Sequence, residues 1–164
     1  MAADILQWPD PRLSVVCAPV GSEDVTDLIT TMFTAMYAAP GRGLAAPQIG
    51  VLQRVFVMDC GWKDGDMTPV VCIDPEILWS SEATGPAEEG CLSIPGATVT
   101  VTRPLEIRLG YTGLDGQRHD RHLTGFEARC AQHEHDHLQG RVIFDHLPPD
   151  ARASVETAYL AGRG

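Results

Sequence analysis

Hydrophobic side chains recur at helical spacing in two stretches of this chain, and each stretch predicts an amphipathic helix. In the first, Asp24–Ala38, apolar residues lie three and four positions apart, so they form one stripe, and Pro40 stops the pattern. The second runs over Gly125–Gln139 and ends at Gly140. The tail, Pro149–Gly164, predicts one further short helix. Helices are therefore expected near both ends of the chain.

Apolar runs of strand length fill the region between these helices. The runs are Arg54–Met58, Val70–Ile73, Ala97–Val101, Leu105–Tyr111 and Arg118–Leu123. Prolines interrupt the region, which favours several short strands over one long parallel sheet; they are Pro75, Pro86, Pro95 and Pro104. Strands bounded by helices predict an α+β fold, in a single domain covering residues 1–164.

One segment without periodicity, Gly41–Gly50, has the sequence GRGLAAPQIG. Its three glycines and one proline predict a structured loop whose backbone approaches another group closely.

Composition narrows the class of protein. The chain is 44% hydrophobic and 21% charged, which is ordinary globular usage and argues against disorder. Its net charge of −10 argues against nucleic acid or an anionic membrane as the main partner. We find no apolar run near 18 residues and no signal-peptide pattern in MAADILQWPDPR. Five scattered cysteines without a CxxC pair indicate a reduced compartment, so a cytoplasmic location is expected.

The segment Gln132–His137 carries the strongest chemical signal, because it contains HExxH on a predicted helix. With His133 at zero, His137 lies about 40° and Glu134 about 100° around the helix axis. Both imidazoles can therefore reach one ion, with the carboxylate beside it. Imidazoles suit zinc or ferrous iron, and a carboxylate next to the ion can move protons. The pattern predicts a metallohydrolase with His133 and His137 as ligands and Glu134 as the base.

The other residues of this helix are expected to have different environments or roles. Phe126 and Cys130 lie about 20° and 60° from His133, so the ligand face is also expected to be the buried face. His135 lies about 200° away and is expected to face solvent. Asp136 flanks the ligands at about −60°, where it could orient a ligand or a neighbouring arginine. Arg103 is the candidate partner of Asp136.

The residues by themselves leave the third ligand open. The peptidase class with HExxHxxGxxH needs a further histidine at position 143, and Ile143 excludes that class. His146 lies beyond the helix end. His119 and His122 belong to a predicted hairpin arm and are expected to face water.

The cysteines separate into two groups. Cys17, Cys72 and Cys130 have apolar or small neighbours and are expected to pack in the core. Cys60 and Cys91 lie in polar loops and are both contenders. A thiolate with two histidines would leave one coordination position for water or substrate.

Three motifs resemble, in order and spacing, the signature motifs of the peptide deformylases. They are GRGLAAPQ (Gly41–Gln48), EGCLS (Glu89–Ser93) and QHEHDH (Gln132–His137). The segment Ile5–Leu13 is also similar to the amino end of that family, so the resemblance covers about residues 4–148. It implies an α+β fold with the HExxH helix packed between small antiparallel sheets. It also implies hydrolysis of the N-formyl group from the initiator methionine of new polypeptides, with release of formate.

The resemblance further implies a role for each matching residue. One divalent metal would be held by three ligands, namely Cys91, His133 and His137. Ferrous iron is the metal implied, with zinc, nickel or cobalt as alternatives. Glu134 would act as general base and acid. The side-chain amide of Gln48 and the backbone N–H of Leu92 would donate to the formyl oxygen. Gly43 would hydrogen-bond the substrate backbone, and Glu89 would hold the Cys91 loop.

Two positions depart from the family pattern. Arg42 stands where many members carry an aliphatic residue that lines the methionine pocket. Its guanidinium is expected either to turn outward to solvent or to narrow or polarise that pocket. Ala87 is expected to leave a less bulky wall than usual.

Two alternatives to a deformylase therefore remain at this point. One is a related metallo-amidase or peptidase with an altered pocket. The other is a metal-bound protein without activity that binds nascent chains or ribosomes. The partners expected of a deformylase are N-formyl-methionyl peptides and, transiently, the ribosome.

Overall fold

The computed structural model describes residues 3–163, which form three α-helices and seven β-strands. The helices are α1 (Thr26–Ala38), α2 (Gly125–Leu138) and α3 (Pro149–Gly162). The strands are β1 (Gly43–Ala45), β2 (Val55–Asp59), β3 (Pro69–Ser80), β4 (Thr84–Cys91), β5 (Ile94–Pro104), β6 (Glu106–Thr112) and β7 (Arg118–Thr124).

The strands form two separate antiparallel sheets. Five of them make one sheet in the order β1-β2-β3-β6-β7, and β4 pairs only with β5 in a long hairpin. The helix with the HExxH motif, α2, contacts strands of both sheets. The predicted α+β class, with this helix between antiparallel sheets, is confirmed.

Strand β2 shows why the larger sheet is covered on both faces. All five of its residues are buried, as its unbroken apolar run suggests. Phe56 and Met58 join the core cluster that includes α2, whereas Val55 and Val57 join the cluster that includes α1. Alternate side chains of a strand point to opposite faces. Helices α1 and α2 therefore cover opposite faces of the sheet.

A third core cluster joins the two ends of the chain to the hairpin. Trp8 near the amino end packs with Val99 of β5 and Tyr159 of α3. The hydroxyl of Tyr159 donates to the backbone carbonyl of Trp8 over 2.9 Å. Cys91 packs against this cluster, so its position depends on both chain ends.

Proline proved a poor guide to strand boundaries. Pro75 does not end β3, because Asp74 has a φ of 47° and a register shift separates Ile73 from Glu76. Such a bulge leaves a residue unpaired, so a proline without an N–H fits there. Pro86 and Pro95 lie inside the β4–β5 hairpin, whose two strands are both edge strands and therefore tolerate proline.

Three elements around the cleft were missed from the sequence. The predicted loop at Gly41–Gly50 contains β1 and a 3₁₀ turn over Ala46–Ile49. Strand β4 was not predicted, because its sequence TGPAEEGC lacks a hydrophobic pattern. The three predicted helices are present, with Gly164 of the tail lying outside the described residues. No helix within residues 3–163 is long and apolar enough to cross a membrane.

Candidate metal centre and substrate cleft

Helix α2 and the end of β4 bring together three side chains that could hold a metal ion. His133 and His137, one helical turn apart, have ring centroids 5.2 Å from each other. The Sγ atom of Cys91 lies 3.5 Å from Nε2 of His137. One potential ligand atom from each of the three residues lies within 4.8 Å of the other two. Among the described residues this is the one such group, so Cys60 lies outside it.

These three residues fit a tetrahedral divalent ion. With ordinary metal–sulfur and metal–nitrogen bonds, two such ligand atoms are separated by about 3.6 Å, close to the observed sulfur–nitrogen distance. Burial raises the pKa of the Cys91 thiol, but the neighbouring His137 and His133 bring that pKa down to about 5. Cys91 is therefore a thiolate at neutral pH, the form that binds metals.

Glu89 holds the first ligand histidine in place. Its Oε1 lies 3.0 Å from Nδ1 of His133, and the Arg103 guanidinium makes two hydrogen bonds to the same carboxylate, of 2.7 and 2.9 Å. Arg129 adds a third partner at 2.6 Å. Burial opposes ionisation, but the hydrogen bonds from Arg103 and His133 hold the pKa of Glu89 well below its usual range. Because Nδ1 of His133 is engaged, its Nε2 remains for the metal.

A second carboxylate, Asp136, is partly buried and belongs to the same network. Its Oδ2 accepts from Arg103 at 2.9 Å and lies 2.7 Å from Nε2 of His146. Arg103 therefore links Glu89 to Asp136. The sequence suggested the pair Arg103–Asp136 but missed His146, which is ten positions away in a 3₁₀ turn after α2. It also missed Arg129 and the contact between Glu89 and His133, since no local pattern marks either.

Gln48 lies at the inner end of the same site and is 1% exposed. Its Oε1 accepts the backbone N–H of Ala45 at 2.9 Å, which sets the direction of the side chain. Its Nε2 donates to Ser93 Oγ at 3.0 Å and lies 3.7 Å from Cys91 Sγ. Leu92 belongs to the two-residue turn between β4 and β5. An amide donor and a turn backbone thus flank the thiolate.

Glu134 is buried against strand β1. Its Oε1 has no hydrogen-bond partner among the described residues, and a Cβ added to Gly43 would lie 2.6 Å from its Oε2. Any side chain at position 43 would clash with this carboxylate in its present position, so the site requires glycine there. Burial raises the pKa of Glu134 even though His133 and His137 oppose the shift. A raised pKa suits a carboxylate that both takes up and releases a proton.

A cleft of about 600 Å³ opens over these residues. Arg42 and Ala87 both line it. The Arg42 guanidinium carbon lies 5.3 Å from the ring centroid of Phe126, so this side chain forms part of the cleft wall rather than turning away from it.

Two predictions about α2 were wrong. Phe126 was expected on the buried face, but it is 51% exposed, because it lies at the open mouth of the cleft. His135 was expected to face solvent, yet it is only partly exposed, and burial lowers its pKa, with Arg54 adding to the shift. Both errors have the same cause. The angular position of a residue around a helix does not show where the neighbouring elements end, and those elements decide how exposed the residue is.

The remaining candidates lie where the sequence suggested. Cys17, Cys72 and Cys130 are core residues, exposed by 4%, 0% and 7%. The side chains of His119 and His122 are 38% and 55% exposed and pair with Asp115 and Glu106.

An HExxH helix that meets a cysteine from a β-hairpin, with a buried glutamate beside a cleft, defines a metal-dependent hydrolase. The sequence model of the polypeptide deformylase family matches residues 2–153. The chain belongs to this family.

Individual relatives agree. A peptide deformylase of Phenylobacterium zucineum is 44% identical over 146 residues, which are 88% of this chain and 86% of the relative. One of Methylocella silvestris is 44% identical over 156 residues, covering 92% and 80%. Among solved structures, a peptide deformylase from Legionella pneumophila is 36% identical with a TM-score of 0.91, covering 99% and 96%. That of Ehrlichia chaffeensis in complex with actinonin is 34% identical with a TM-score of 0.90, covering 99% of each chain.

These comparisons confirm the family and the enzyme class expected from the three motifs. They give no support to an inactive binding protein or to another amidase. The roles of individual residues stay predictions.

Proposed function

We propose that this chain hydrolyses the N-formyl group of formyl-methionyl peptides, using a metal held by Cys91, His133 and His137. The observation that carries the proposal is the meeting of these three side chains beside Glu134 in a cleft, in a member of the deformylase family. Ferrous iron is the proposed metal, with zinc, nickel or cobalt as substitutes. When bound, a divalent ion there supplies Lewis-acid polarisation of a carbonyl and lowers the pKa of a water molecule.

Glu134 moves the proton in this proposal. Its unpartnered Oε1 is available to accept a proton from the attacking water. Because burial raises its pKa, the same carboxyl can hold that proton and pass it to the departing amine. The peptide then leaves with a free amino group, and formate is the second product.

Gln48 and Leu92 stabilise the negative charge that develops on the formyl oxygen. The Gln48 amide is directed by its bonds to Ala45 and Ser93, so little reorganisation is needed as the charge forms. The backbone N–H of Leu92, beside Cys91 in the tight turn, is the second donor.

The remaining site residues position the reactants. Gly43, on the edge strand β1, hydrogen-bonds the substrate backbone, and Arg42 contacts the substrate farther out. Arg103 and Asp136 support the ligands from behind, together with Glu89.

Residues 1–164 act as a single catalytic domain in the cytoplasm, and its substrates are nascent chains that still carry the formyl group. Contact with the ribosome is transient, which agrees with a net charge of −10, since ribosomal RNA repels an acidic protein.

The test is formate release from formyl-Met-Ala by the metal-loaded protein and by Glu134→Ala. We expect the variant to retain its metal and to lose at least about a hundredfold in kcat, since general acid–base catalysis contributes about 10² to 10⁴. His135→Ala is the matched control on the same helix and should keep its activity. Turnover retained in Glu134→Ala would exclude the proposed base. Preference for acetylated or unblocked peptides would exclude deformylation.

A further inference from the structure

Two cationic side chains at the mouth of the cleft have no acidic partner. Arg42 and Lys63 both line the cleft, and neither forms an ion pair with any residue between 3 and 163. Every other lining arginine or lysine is engaged, since Arg129 binds Glu89 and two backbone carbonyls. The mouth therefore presents positive charge that the protein itself does not neutralise.

Contacts with aromatic rings hold these two cations in position. The Arg42 guanidinium carbon lies 5.3 Å from the centroid of Phe126, and Lys63 Nζ lies 5.7 Å from that of Trp62. The indole N–H of Trp62 donates to the carbonyl of Gly41 at 2.9 Å, which ties the Lys63 segment to the residue before Arg42. No described residue accepts a hydrogen bond from the Arg42 guanidinium. Its Nε is buried, so its terminal nitrogens are the donors left to match a carboxylate.

The distance between Arg42 and the reaction centre follows from the length of α2 between Phe126, which Arg42 contacts, and His133. Phe126 precedes His133 by seven residues, which is about 10 Å along a helix axis. An extended peptide advances about 3.3 Å per residue. A peptide whose formyl group lies at the metal ligands therefore passes Arg42 with its second or third residue. The exposure of Phe126 agrees with this placement, because the side chain of the first peptide residue would be buried deeper in the cleft.

Acidic groups of the cleft lining offset only part of this positive charge. Glu89 is engaged by Arg103, Arg129 and His133, and Glu134 lies deep beside the ligands. Glu88, exposed on β4, is the remaining carboxylate of the cleft lining. The net charge of the whole chain acts weakly here, because salt screens charges beyond about 8 Å.

We propose that Arg42, assisted by Lys63, selects formyl-methionyl peptides that carry an aspartate or glutamate at the second or third position. This inference rests on the proposed deformylase function. Arg42 contacts the carboxylate of the bound peptide and takes no part in the proton transfers.

The experiment compares kcat/KM for formyl-Met-Asp-Ala and formyl-Met-Ala-Asp with the same peptides carrying asparagine. At about 0.15 M salt, where the net charge of the chain is screened, we expect at least one aspartyl peptide to exceed its asparaginyl counterpart about five- to tenfold, the range of a partly exposed charged contact. Arg42→Leu should reduce that ratio to about one, and Arg42→Lys should retain part of it. Arg108→Leu removes the same charge from a surface pair outside the cleft and should leave the ratio unchanged.

The outcomes separate the two proposals. Formate release from the asparaginyl peptides without a preference for aspartate at either position overturns the role of Arg42. A preference that survives undiminished in Arg42→Leu overturns it equally. Absence of formate release from all four peptides by metal-loaded protein is instead a failure of the proposed function.

Discussion

Glu89 is the residue on which most polar contacts of the site converge. It accepts from Arg103 and Arg129 and faces Nδ1 of His133, while its neighbour Glu88 is exposed. A carboxylate bound to the ring nitrogen that does not face the metal fixes the orientation and the tautomer of a metal-binding histidine. Two adjacent glutamates thus have different roles because strand β4 turns only one of them inward.

Glu89→Gln is expected to weaken metal binding about tenfold to a hundredfold, the usual effect of losing such an outer contact. The amide keeps the size of the side chain but removes the charge that pairs with two arginines and orients His133. Competition for the metal with a chelator measures the change. Glu88→Gln makes the same charge change one position away and should bind metal as the wild type does. Equal affinities for all three proteins would contradict the role of Glu89.

At the scale of elements, α1 is attached to the end of β2 by a polar contact. The hydroxyl of Tyr37 donates to Asp59, a fully buried carboxylate that also accepts the backbone N–H of Thr68 at 3.0 Å. Burial, reinforced by Asp59, raises the pKa of Tyr37 to about 12. The same helix leads directly into Gly41 and β1, so this contact helps to place the wall of the cleft.

This contact predicts a loss of stability in alkaline solution. The folded protein favours the neutral phenol of Tyr37. The contribution of this contact to the free energy of unfolding is therefore complete below the pKa of tyrosine in the unfolded chain, about 10. It disappears as the pH rises towards the folded value of about 12. Urea unfolding across this range should show a falling free energy of unfolding, with a shallower fall in Tyr37→Phe. At neutral pH that variant should lose about 1 kcal/mol, the net value of one hydrogen bond. An identical pH dependence in both proteins would refute the assignment.

At the scale of the whole molecule, the proposed metal site joins the β4–β5 hairpin to α2. Cys91 and His137 are 46 positions apart, and their two elements are also linked by the contacts of Glu89 with His133 and Arg129. A ligand that binds only the folded state stabilises that state by mass action. A metal held by both elements would therefore add to the stability of the fold.

Removal of the metal is expected to lower the melting temperature. At a free metal concentration of a hundred times Kd the stabilisation is about 2.7 kcal/mol, which corresponds to roughly 5 to 10 °C for a chain of this size. Thermal unfolding with zinc and with excess chelator measures the difference. Cys91→Ala should melt at nearly the same temperature under both conditions, whereas Cys60→Ala should behave as the wild type. No shift in the wild type would show that metal binding is not coupled to folding.

Local patterns predicted the parts of this protein that depend on neighbours in sequence. The helical period of 3.6 residues placed His133, Glu134 and His137 together and located α1 and α2, because those relations are set within one or two turns. The buried strand β2 followed from its apolar run. Three ordered motifs identified the family. By contrast, β4 was missed, since its glycine, proline and acidic residues form a strand only because β5 pairs with it.

The sequence by itself thus determined the ligand helix, the fold class and the family. Only the tertiary structure decided which carboxylate supports His133, that His146 reaches Asp136, and that Arg42 lies over an exposed Phe126. These contacts join residues from different elements, and their distances depend on how a hairpin, a sheet edge and a helix pack together. No short-range period encodes that packing. The histidine pair therefore identified the chemistry, whereas the packing of β1, β4 and α2 built the site around it.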